Sequence, residues 1–213
     1  MPGIANLDAD GFCNRVLRFD ASYIADWQSW MDTLQGERDV AIHFGRVLRR
    51  WQACRPNRMR RTKGEMAHDP PYLEDLIAAA NPSVRALRGF DLRLQDSFTR
   101  QAQEALEELW EIFQNLSYQG RARDGLAGAV GISKAVMLLT EGRVGPAFDS
   151  EVRGQLGVPM LANAGEWIQA LQVASRDIQS FEAANRCTLH HAAPDLCAVL
   201  HSGRIYDMAL GPG

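Results

Sequence analysis

Apolar residues recur at intervals of three and four along nearly the whole chain, a period that suits helices and not strands. The clearest case is Ser97–Leu116. There Phe98, Ala102, Ala105, Leu106, Leu109, Phe113 and Leu116 form one face, with Asp96 or Ser97 as cap. Ser22–Leu34 repeats the pattern through Tyr23, Ile24, Trp27, Trp30, Met31 and Leu34, and Val40–Trp51 repeats it through Val40, Phe44, Val47, Leu48 and Trp51. Asn163 and Glu166 have capping-box spacing and start a long helix to about Ala184. A shorter helix fits Tyr72–Ala80, ended by Asn81–Pro82 because proline disfavours helical geometry in the residue before it. One short strand is expected at Arg204–Tyr206. With no internal repeat, low-complexity tract or clear linker, the expectation is a single compact all-α domain over residues 1–213.

Length and composition narrow the class further. A chain of 213 residues with 46% hydrophobic and 23% charged residues can bury a sizeable core. No run approaches the eighteen or so apolar residues of a membrane span. The opening residues MPGIANLDADGF lack the basic-then-apolar order of a secretory signal. Cys13, Cys54, Cys187 and Cys197 are scattered and form no C-x-x-C pair, and the histidines show no metal-ligand spacing. A cytoplasmic protein with reduced thiols, no metal and no cofactor is therefore expected.

Charge is unevenly placed. The net charge is −3, yet Arg46–Lys63 holds eight basic residues and no acidic one. Such a run is either a solvated basic face or a surface for a polyanion. Between Arg55 and Pro71 the chain is polar and basic, and it reads as a loop (55–71) presenting Arg55, Arg58, Arg60 and Arg61.

The stretch GAVGISKAVMLLTEGRVGPAFDSEVR, residues 128–153, stands apart. Of the chain's 23 basic residues only Lys63 and Lys134 are lysines, and Lys134 lies here, fifteen residues before Asp149. Gly128 and Gly131 allow a turn whose backbone N–H groups, with the positive end of the following helix behind them, suit a phosphate. Ser133 and Lys134 stand where that helix should begin. Asp149 has two readings: a helix cap, or a carboxylate placed for chemistry. Lys134 likewise reads as a phosphate anchor or a solvated amine.

The order of turn glycines, lysine, apolar helix, small turn and Pro-x-x-Asp resembles the helix-hairpin-helix DNA glycosylase superfamily. Its 8-oxoguanine-glycosylase-like branch is the nearest, and this chain would belong to a divergent bacterial form of it. The matching residues are Leu126–Lys134 and Pro146–Arg153, within a hairpin and catalytic segment spanning 126–156. Alanine stands for the hairpin proline, one extra residue separates Gly131 from Lys134, and the cluster cysteines of some relatives are absent.

The resemblance implies a DNA glycosylase acting on double-stranded DNA. It would extrude a modified base and cleave its N-glycosidic bond to leave an abasic site. Asp149 would stabilise the cationic deoxyribose, and Lys134 would attack it to form a Schiff base, a step that arginine cannot perform; if Lys134 only contacts phosphate, water would be the nucleophile and the enzyme monofunctional. Gly128, Gly131, Ser133 and the loop arginines would hold the backbone, Met59 or Trp51 would stack in the gap left by the extruded base, and Trp51 would line the substrate pocket, its alternative being a place in the core. Relatives suggest either hypermodified phage DNA bearing glucosylated hydroxymethylcytosine, in antiviral defence, or oxidised and alkylated bases, in DNA repair. A non-catalytic DNA-binding module and a helical protein-interaction domain are the rival classes.

Overall fold

The computed structural model describes residues 3–36, 39–55, 58–65, 70–118 and 125–211, and among them ten α-helices make up the fold. They are α1 (Ala9–Leu17), α2 (Ala21–Gln35), α3 (Val40–Arg50), α4 (Leu73–Ala86), α5 (Arg100–Gln114), α6 (Ala129–Leu139), α7 (Ser150–Leu156), α8 (Ala164–Asn185), α9 (Leu189–Ala192) and α10 (Ser202–Leu210). Among the described residues there is no strand, only an isolated bridge between Met59 and Ser117. No described helix is long and apolar enough to cross a membrane.

The two helices read from Ser22–Leu34 and Val40–Trp51 form as α2 and α3. Asp20 and Asp39 cap them by accepting backbone N–H bonds in the first turn. Asn163 caps α8 through the Glu166 amide, and Glu166 returns a bond from the Ala162 amide. Helix α5 begins later than Asp96 or Ser97. Those residues lie in a 3-10 turn, Gln95–Ser97, and Thr99 caps the helix through Ala102 N–H.

Two expectations fail outright. Helix α4 runs on through Asn81 and Pro82 to Ala86. Pro82 and Ala78 both face solvent, so water can serve the carbonyl that loses its partner. Arg204–Tyr206 is no strand but part of α10, every residue of which is buried. A helix covered on all sides shows no amphipathic stripe, which is why its period misleads.

Helix α5 lies centrally, against α4, α6 and α8, while α6 also packs on α3 and α10 packs on α1, α7 and α9. Trp30 fastens α2 to the end of α6 by donating from its indole N–H to the Leu138 carbonyl at 2.9 Å. Near the start of the chain, Asp177 on α8 accepts the amides of Ile4 (2.7 Å) and Ala5 (3.1 Å) and the hydroxyl of Tyr206 on α10 (2.7 Å). Helix α10 also approaches the turn after α6 backbone to backbone. A Cβ on Gly203 would lie 2.6 Å from the Gly142 carbonyl oxygen and 2.7 Å from the Gly145 nitrogen, so only glycine permits this contact.

Candidate active site

The expected glycine turn is the opening of α6. Gly128 is its N-cap in extended geometry, and the Gly131 and Ile132 amides already bond the Gly128 carbonyl. Gly131 is inside the helix, where a Cβ would come 2.7 Å from the Ala53 carbonyl oxygen; its lack of side chain lets α6 press on the segment after α3. Ser133 is 2% exposed and its hydroxyl donates to the Ala129 carbonyl at 2.6 Å. Gly131 and Ser133 are therefore packing residues here, not open phosphate donors. Residues 119–124, just before the expected hairpin, lie outside the described residues.

Lys134 is 8% exposed and donates from Nζ to the Trp51 carbonyl at 2.6 Å. Burial pushes its ammonium below the ordinary lysine range, against the opposing pull of Asp149, Asp207 and Cys54. Asp149 caps α7, its Oδ1 accepting the amides of Glu151 and Val152 at 3.0 Å each. Trp51 is 2% exposed, in line with core packing; its indole N–H donates to Asp26 at 3.2 Å.

These three residues nevertheless meet. Lys134, Asp149 and Trp51 line one cavity of about 20 Å³, together with Phe19, Tyr23, Arg204 and Asp207. That volume admits one water and no nucleobase. Burial raises the Tyr23 phenol, helped by Asp20, Asp149 and Asp207, so it stays protonated at neutral pH. Cys54 is no rival nucleophile, because burial pushes its thiol up to about 12. A second cavity, of about 370 Å³, lies between α2 and residues 196–208 and shares Arg204 as a wall.

Sequence reasoning missed Arg204 and Asp207. Arg204 Nη1 bonds Asp207 Oδ2 at 2.5 Å, and the guanidinium carbon lies 4.9, 4.8 and 5.4 Å from the ring centres of Phe19, Trp27 and Trp51. Burial pulls the Asp207 carboxyl up and the Arg204 guanidinium down, and their mutual attraction resists both shifts. The only signal was an Arg and an Asp three apart in an apolar run.

The basic segment is less free than its composition suggests. Arg60 N–H bonds the Leu116 carbonyl, Tyr118 N–H bonds the Arg58 carbonyl, and Leu73 N–H bonds the Arg61 carbonyl. Met59 is fully buried and is a core residue, not a base-stacking one. Arg60 donates to the Asn115 carbonyl and lies over the Tyr118 ring. Arg61 pairs with Glu65 at 3.1 Å, and Arg50 with Asp26 at 2.6 Å. Arg55 is exposed and Arg58 half-buried, and neither has an ion pair among the described residues. Residues 56–57 and 66–69 of the expected loop lie outside those described.

Among the described residues no three His, Cys, Asp or Glu side chains gather as a metal site. Comparison with protein-family models, with characterised proteins and with solved structures returns no match.

Proposed function

We propose that this chain is a DNA glycosylase of the helix-hairpin-helix kind, with Lys134 as nucleophile and Asp149 as the stabilising carboxylate. The observation that carries the reading is their convergence, fifteen residues apart in sequence, on one cavity beside an aromatic wall. A buried amine is driven toward its neutral, nucleophilic form. In the proposed step the C1′–N bond of the base breaks and the departing base takes up a proton. Lys134 Nζ, as the free amine, bonds C1′ and gives up one proton; the C1′–O4′ bond then breaks, O4′ takes up a proton, and Nζ keeps one proton in the protonated Schiff base. Asp149 offsets the positive charge that the deoxyribose develops between these events.

The described conformation is closed to a base, so the reading requires the cavity to enlarge when DNA binds and the base leaves the stack. Arg204 is a wall of both this cavity and the larger one. Arg55 and Arg58 supply the sequence-independent grip on phosphate.

A second reading, a non-catalytic DNA-binding helical module, is favoured by Asp149's two cap bonds and by the small cavity. One assay separates the two. The full chain is incubated with duplexes carrying defined oxidised or alkylated bases and with glucosylated hydroxymethylcytosine phage DNA, then probed for abasic sites and trapped with borohydride. Abasic sites with a covalent adduct at Lys134 support the first reading. Salt-sensitive binding without base release from any substrate supports the second.

A further inference from the structure

The turn that delivers Asp149 is held from beneath by two buried side chains. The Ala147 amide donates to Asp207 Oδ1 at 2.8 Å, and the Phe148 amide donates to the Ser133 hydroxyl at 3.0 Å. Ser133 is the neighbour of Lys134 on α6, so one clamp belongs to the helix that carries the amine. The other comes from α10, sixty residues further on.

A neutral side chain can accept a single N–H, as Ser133 does. At Ala147 the chain instead buries a carboxylate at 5% exposure and an arginine at 1% to balance it. Stability alone does not account for this, because apolar residues of similar volume commonly replace a buried ion pair without loss. Position does account for it. Asp207 lines the cavity that Lys134 and Asp149 line, and both its oxygens are engaged, one by the Asp149 turn and one by Arg204.

We infer that Asp207, held by Arg204, is the positioning residue of this site: it fixes the 146–149 turn so that Asp149 faces the amine of Lys134. The catalytic consequence rests on the glycosylase reading; the positioning itself does not. Asp207 touches no reacting atom in this scheme and acts through Asp149. The charged and titratable groups around Lys134 are Asp149 on the turn, Asp207 and Arg204 on α10, Tyr23 on α2 and Cys54 after α3.

The test uses the scarcity of lysine. In full-length protein labelled with 13C-lysine, only Lys63 and Lys134 give side-chain signals, and the Lys134 titration midpoint is read directly. Asp149→Asn lowers that midpoint in an otherwise natural chain, since an opposing charge is lost. In Asp207→Asn, which keeps an acceptor for Ala147, the same response to Asp149→Asn persists. In Arg204→Met/Asp207→Leu, which removes the acceptor while keeping the interior filled, the response falls to less than half. An undiminished response in that last background overturns the proposal, and so does a response already lost in Asp207→Asn. Absence of abasic sites with the natural chain would instead remove the glycosylase reading and leave the titration result standing.

Discussion

The ammonium of Lys134 bonds the carbonyl oxygen of Trp51 at 2.6 Å, joining α6 to the C-cap of α3 across 83 residues of sequence. The amine is thus tied to a point four residues before the exposed Arg55. Under the glycosylase proposal, a base or sugar entering the cavity must take that amine from the Trp51 carbonyl, which would link DNA contact near Arg55 to the state of the proposed nucleophile.

Burial of Lys134 sets a pH dependence. Its folded value lies below the ordinary 10.5, so between the two the unfolded chain binds the proton and the folded chain does not. Stability relative to Lys134→Met should therefore rise with pH through the window below 10.5 and level off above it. Urea denaturation at stepped alkaline pH checks this, and a flat difference would show an amine solvated in the folded state.

Asp149 serves a cap and, in the proposed function, a reaction; substitution separates the two. Asp149→Asn keeps an oxygen for the Glu151 and Val152 amides, so its stability should stay near that of the natural chain while base release is lost. Asp149→Ala should lose base release and, in addition, about 1 kcal/mol of stability. Equal activity in the natural and Asn forms would leave the carboxylate with a cap role only.

Gly203 should tolerate no side chain. Gly203→Ala forces α10 away from the Gly142–Gly145 turn and should cost about 1–3 kcal/mol, as overpacked interiors do. Gly154 is the control: a Cβ there meets nothing within 4 Å, so Gly154→Ala in α7 should stabilise by about 0.5–1 kcal/mol. Thermal or chemical denaturation of the two variants decides.

If the basic segment meets DNA, Arg55→Ala and Arg58→Ala should weaken binding more than Arg61→Ala, whose guanidinium is engaged by Glu65. Each true phosphate contact removed should flatten the slope of log affinity against log salt by roughly 1. Fluorescence anisotropy across a salt series measures it; equal losses at all three positions would mean that Glu65 releases Arg61 on binding.

Local signals in the sequence proved readable, and distant ones did not. The caps Asn163 and Asp149 act within four residues and sit where their spacing implies. The stripes of α2, α3 and α5 are visible because each of these helices keeps a wet face. Helix α10 has none, so its pattern carried no helical period. The meeting of Lys134, Asp149 and Trp51 on one cavity follows three residues that were singled out, but Asp207 reaches Ala147 over sixty positions that no spacing rule spans. The eight-residue basic tally missed the acids Asp26, Glu65 and Asp75 that fold against Arg50, Arg61 and Lys63. Composition records charges; only the fold says which are already answered.

Asp177 gives residues 4 and 5 a duty that their place near the start of the chain would not suggest. Since one carboxylate gathers the amides of Ile4 and Ala5 and the hydroxyl of Tyr206, clipping the leading residues strands a buried anion beneath α10. A change at Ile4 or Ala5 therefore reaches α8 and α10 through that one carboxylate.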